Sequence, residues 1–253
     1  MRRAGRGHRQ PEVDVTPRPF YVETFDHGPG GWLGWIGGGG GPAPLAQAPG
    51  AVGTRSPWGV DFNHAPPGAG YLHLLFVLMT GPALARRPAI INAGGANRFV
   101  DDGFSRDFTN ARLALRIKGA LERRGSQLLV LVQADVAATG VRGNHVLLAQ
   151  PFEVTRDWSE QAVLLAPDPA QWLSLGVRAK GADSSSYGHT DIADVLRDVN
   201  VDLLLVLFPL HVEPAAPIDG DPHILRAGKD YPLRTERLPS GEVWLDEVRI
   251  DYA

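Results

Sequence analysis

The residues whose types and spacing could do chemistry fall in two loop-like stretches. "DFNHAPPGAGYLH" holds Asp61, His64 and His73, and "SSSYGHTD" holds Tyr187, His189 and Asp191. A histidine near a tyrosine or a carboxylate can move a proton, as in β-elimination on a uronic acid or hydrolysis of a glycoside. The competing reading makes them loop polar groups and helix caps. His189, just ahead of a capped helix, suits that second reading. No HExxH or other zinc spacing joins the histidines. There is no GxSxG elbow, and "GTRS" and "GGAN" lack the strand–loop–helix setting of a phosphate loop.

Aromatic residues offer a different chemistry. "YVETFDHGPGGWLGW" (Tyr21 to Trp35) runs from a strand into a glycine-rich turn that carries Trp32 and Trp35. Trp58 lies in "RSPWGVDFNH". Indole faces stack on the C–H faces of sugars, so loop tryptophans are candidate ligand platforms. For Trp32 the alternative is a plug at the end of the first strand. Trp158 and Trp172 read as core residues. "VDDGFSRDF" places Asp101, Asp102 and Arg106 in a turn, where they could bind sugar hydroxyls or clamp a carboxylate. A solvated loop is the alternative.

These side chains must be positioned by strands. "ARLALRIKG" alternates, with Leu113, Leu115 and Ile117 on one face and Arg112, Arg116 and Lys118 on the other. That predicts a half-buried strand. "YLHLLFVLM" (71–79) is apolar and β-leaning, and "QLLVLVQADV" (127–136) and "VDLLLVLFPLHV" (201–212) predict central strands covered on both faces. "HVLLAQPFEV", "EQAVLLAP" and "EVWLDEVRIDY" add further strands. In the last of these Asp246 shares parity with Trp244, Val248 and Ile250, which puts a carboxylate on the apolar side. That is costly unless it is paired or metal-bound. "TDIADVLRDV" (190–199) has helical spacing with Thr190 as its cap. "GGGGGPAPLAQAPG" (37–50), "NHAPPGAG" (63–70) and "EPAAPIDGDP" (213–222) predict loops. The expectation is an all-β, two-sheet sandwich with one short helix over residues 19–253, preceded by a disordered arm at 1–18.

Net charge is -3, which gives no reason to expect a nucleic-acid partner. The chain has no cysteine, so disulfides and thiolate sites are excluded. The longest apolar run, Leu203 to Leu210, is too short for a membrane helix. The basic start has no apolar segment of a signal peptide, which leaves a cytoplasmic location or a removed leader open. Oligomeric state is not legible.

Three marks, in order, resemble carbohydrate-binding modules with a galactose-binding-like jelly roll. They are Phe25-Asp26 followed by "HGPGGW", "TRDW" at Thr155 to Trp158, and "LDEVRI" at Leu245 to Ile250. The resemblance implies a jelly-roll β-sandwich and carbohydrate recognition. It also implies a structural calcium that joins Asp246 to Asp26 and Glu23, with backbone carbonyls completing the cage. For Asp246 the alternative is a pair with an arginine. Extra material around Gly37 to Asp102 and before the last strand is where a site would be built. Two other function classes stay open: a glycoside hydrolase or polysaccharide lyase with acid–base residues in the loops, and an assembly protein that buries a partner chain.

Overall fold

The computed structural model describes residues 19–36, 40–62, 71–176, 187–222 and 224–253. The alternation at 111–119 becomes β7 (Ala111–Glu122), with Leu113, Leu115 and Ile117 buried and its cations on the other face. Burial of each such aliphatic side chain contributes about 2 kcal/mol. β7 pairs antiparallel with β13 (Ser240–Asp251) on one edge and β10 (Ser159–Leu165) on the other. The far edge of β13 is shared: β5 (Ala51–Arg55) takes its first half and β1 (Phe20–Glu23) its second. β4 (Ala46–Ala48) extends the sheet beyond β5, which gives a six-stranded sheet of order β10-β7-β13-β5-β4 with β1 alongside β13.

The other sheet has seven strands. Its order is β11 (Trp172–Ser174), β9 (Val141–Leu147), β8 (Gln127–Val136), β12 (Asp202–Leu210), β6 (Tyr71–Met79), β2 (Trp32–Ile36) and β3 (Gly41–Ala43). β6, β8 and β12 are the continuous apolar runs, and they are buried on both faces, as two-sided cover requires. One face joins the core between the sheets, where Leu75, Val130 and Leu205 meet Leu113, Leu115 and Ile250. On the other face Leu33, Val77 and Met79 pack with Ala85, Ile90 and Ala93.

Those last three residues belong to helices the sequence reading did not anticipate. α1 (Pro82–Ala85), α2 (Pro88–Gly94) and α3 (Arg98–Asp101) fill the connection from β6 to β7. Proline at the first helical position starts α1 and α2, and Asn97 caps α3 by accepting from the Val100 N–H. The expected single helix is α4 (Ile192–Arg197), so the described residues hold four helices rather than one. Its cap is Asp191, which accepts from Ala193 N at 2.8 Å, not Thr190. Within the expected 37–50 loop, β3 and β4 are strands. The architecture is a β-sandwich of two antiparallel sheets. Among the described residues no helix is long and apolar enough to cross a membrane.

Candidate functional site

The outward face of the six-stranded sheet is the place where aromatic and charged side chains meet solvent over a floor of small residues. It is built by register. Trp244 on β13 stands opposite Gly53 on β5 and opposite Lys118 on β7. Two positions earlier, Glu242 stands opposite Arg55 and Ala120. Because side chains alternate, all of these share the outer face. A depression of about 530 Å³ opens here, lined by Ala51, Lys118, Arg156, Trp158, Glu242 and Trp244 among others.

Gly53 determines how Trp244 lies. A Cβ at residue 53 would sit 2.5 Å from Cδ2, 2.5 Å from Cε3 and 2.8 Å from Cε2 of Trp244. A point can approach three atoms around a ring fusion that closely only from above the ring plane. The indole therefore lies flat on the glycine backbone, and its opposite face is turned to the depression. Trp158, at the entry to β10, holds Lys118 Nζ 4.5 Å and Arg116 Cζ 5.5 Å from its ring centroid. The Arg55 guanidinium donates to Glu242 at 2.6 Å and holds its carboxyl below the usual range.

A second depression, about 290 Å³, also takes part of its lining from β5 but shares no lining residue with the first. Trp35 and Trp58 both line it, as do Gly53 and Arg55. The link between the two is therefore β5 itself. Trp35 is half-buried, whereas Trp58 is largely buried and donates its indole N–H to Thr54 Oγ1 at 3.0 Å. The structure thus brings together two of the three tryptophans expected as ligand platforms. The third, Trp32, is fully buried and donates to the Tyr21 hydroxyl at 3.1 Å, which makes it a core plug. Trp158, read as a core residue, and Trp244, counted on the apolar face, are instead half-buried and line the outer depression. The visible signal was the wet face of β7, whose cations needed neighbours on the adjoining strands.

Asp246 corrects the parity reading. Leu245 pairs with Ile117 and Glu247 with Arg116, so Asp246 is the extra residue of a β-bulge. The bulge resets the alternation: Val243 and Leu245 point inward before it, Val248 and Ile250 after it. Trp244 is thereby outward, and the Asp246 carboxylate accepts from Arg116 at 2.5 Å. Burial still pushes its carboxyl upward. Glu23 is buried and takes a bidentate pair from Arg98, along with the Phe25 N–H at 2.8 Å. Burial raises its carboxyl, while Phe25 N–H and Arg98 pull it back. Gly30 makes room for this pair, since a Cβ there would overlap Glu23 Oε2. Asp26 is exposed and accepts from the Thr24 hydroxyl. Glu23, Asp26 and Asp246 therefore do not fit a shared calcium cage, because guanidinium groups already occupy two of the carboxylates. Among the described residues no cluster of three or more His, Asp or Glu is set to hold a metal.

Among the described residues, the acid–base candidates do not converge on one cleft. His73 is fully buried, with Nδ1 2.9 Å from the Gly59 carbonyl oxygen and its ring 5.9 Å from Trp58. The carbonyl can only accept, so Nδ1 carries the proton. Burial pushes the ring down to about 4. Asp61 is also fully buried, bridged to Leu72. Tyr187 is buried against Gln133 and Arg142. His189 is exposed, 3.5 Å from the Ser174 hydroxyl. His64 lies outside the described residues. Asp101 ends α3 rather than sitting in a turn, Asp102 is exposed beside it, and Arg106 is paired with Asp198 at 2.8 Å.

Compared with protein-family models and with curated proteins, the sequence matches none.

Proposed function

We propose that this chain recognises carbohydrate on the outer face of its six-stranded sheet, on a sandwich of the jelly-roll type. The observation that carries this reading is Trp244, laid flat on Gly53 with one indole face toward a depression rimmed by hydrogen-bonding side chains. A pyranose ring presents an apolar C–H face to such a surface and its hydroxyls to the rim. Glu242, Lys118 and Arg156 supply that rim. Trp35, half-buried on β2, lines the second depression and offers a further aromatic contact near β5, whereas Trp58 is largely buried there. The jelly-roll assignment is supported by the strand order, in which β1 and β13, far apart in sequence, are paired neighbours.

The test is calorimetric titration of the full chain with a panel of neutral and acidic oligosaccharides, with chromatography for products. Saturable binding without turnover, lost in Trp244→Ala, is the expected result. No binding to any member of the panel, or binding that Trp244→Ala leaves unchanged, overturns the reading.

A further inference from the structure

The charges on this face are not evenly matched. Arg55 is paired with Glu242, Arg116 with Asp246, and Arg112 and Arg249 both with Asp251. Lys118 and Arg156 are different: both line the depression over Trp244, and neither has a carboxylate within ion-pair distance among the described residues. The one carboxylate in the lining, Glu242, is already neutralised by Arg55. The depression therefore carries surplus positive charge beside an aromatic platform.

The spacing is specific. Lys118 is the direct cross-strand neighbour of Trp244. Such neighbours have Cβ atoms about 5 Å apart, roughly the width of a sugar ring. The ammonium is held on the Trp158 ring at 4.5 Å, so the cation is steered toward the groove rather than left to wander. Arg156 stands two residues before Trp158 on the same rim and presents the planar fork that suits a carboxylate.

We infer that the groove takes an acidic sugar: a uronate ring stacks on Trp244 and its carboxylate is held by Lys118 and Arg156. This rests on the carbohydrate reading above and narrows it to polyuronates. A neutral glycan would leave both cations without an ion-pair partner among the described residues, whereas a uronate supplies one at the edge of the ring that rests on the indole.

The test uses calorimetry on the full chain with oligogalacturonate, an uncharged oligogalactan and dextran sulfate. Oligogalacturonate binds best. Lys118→Gln with Arg156→Gln weakens it by about tenfold or more, the loss expected for charge-assisted hydrogen bonds worth at least about 1.4 kcal/mol together. The same double variant weakens oligogalactan binding by a clearly smaller factor, because glutamine still offers N–H groups to sugar hydroxyls and only the charge is lost. Both side chains are on the surface, and an unchanged melting temperature verifies that the variant is folded. Equal binding of uronate and galactan, or uronate binding that survives the double variant, overturns this inference and leaves the carbohydrate reading standing. Dextran sulfate binding as well as uronate also overturns it, as unspecific charge attraction. Silence with every glycan removes both readings together.

Discussion

The indole of Trp244 lies flat on the backbone of Gly53, its direct neighbour across the β5–β13 ladder. The contact fixes one face of the ring and leaves the other to the groove. Substitution at Gly53 therefore acts on the platform without touching it chemically. Gly53→Ala puts a methyl group 2.5 Å from the ring and tilts it off the sheet. Overpacking of this kind costs about 1–2 kcal/mol. In a Trp244→Ala background the same change is neutral or slightly stabilising, because alanine loses less backbone freedom than glycine on folding. A double-mutant cycle by urea unfolding measures the difference, and equal costs in both backgrounds would show that the two residues do not touch.

Arg98 and Glu23 tie α3 to β1, and the pair is asymmetric. The Glu23 side chain has no exposure, whereas that of Arg98 is 36% exposed. Arg98→Met strands a buried carboxylate and destabilises by about 3 kcal/mol. Adding Glu23→Gln recovers a substantial part of that loss. The comparison of single and double variants by denaturant midpoint decides it, and a double variant worse than the single would contradict the assignment.

The calcium cage implied by the resemblance is displaced by arginines. Millimolar calcium or a chelator is expected to move the melting temperature by less than about 1 °C, since Glu23, Asp26 and Asp246 give the ion no shared site and an ion that does not bind gives no linkage. A clear calcium-dependent rise in thermal scanning would mean that Arg98 or Arg116 yields its carboxylate to the ion.

Buried His73 makes stability depend on pH in a defined sense. Its folded value of about 4 lies below the ordinary 6.5. Between these values the unfolded chain binds a proton that the folded chain does not. Stability from this group is therefore full above 6.5 and falls away as pH drops toward 4, by about 3 kcal/mol for a group so deeply buried. His145, also lowered to about 4 by burial, works in the same direction. The raised Glu23 and Asp246 carboxyls work in the opposite one. The informative quantity is therefore the gap between pH 7 and pH 4.5 in wild type against His73→Gln. The gap narrows in the variant, and an unchanged gap would mean that His73 is reached by protons in the folded state.

Much of the sandwich was legible because burial imprints a period. β7 alternates, β6 and β8 are unbroken apolar runs, and their bounds in the structure match those read from the sequence at Tyr71–Met79 and Gln127–Val136. The site was less legible, for a local reason. One extra residue at Asp246 shifts the phase of β13, so a parity count across it assigns Trp244 to the wrong face. Trp158 sits at a strand entry, where no period applies. The helices of residues 82–101 are too short for their apolar spacing to register, although Pro82 and Pro88 mark their starts. Trp35 and Trp58 were picked out by the glycine and proline that flank them, but Trp35 lies on strand β2 rather than in a loop, and Trp58 is largely buried.

The place of β13 also sets an order of events. Every strand of the seven-stranded sheet lies between residues 32 and 210. The strand at the middle of the other sheet begins only at Ser240. On a ribosome, the first sheet emerges whole while β1, β5 and β7 still wait for the neighbour that joins them. Until β13 arrives, β1, the β4–β5 pair and the β7–β10 pair are separate pieces with no common sheet, and that interval is when the nascent chain most needs shielding from other chains.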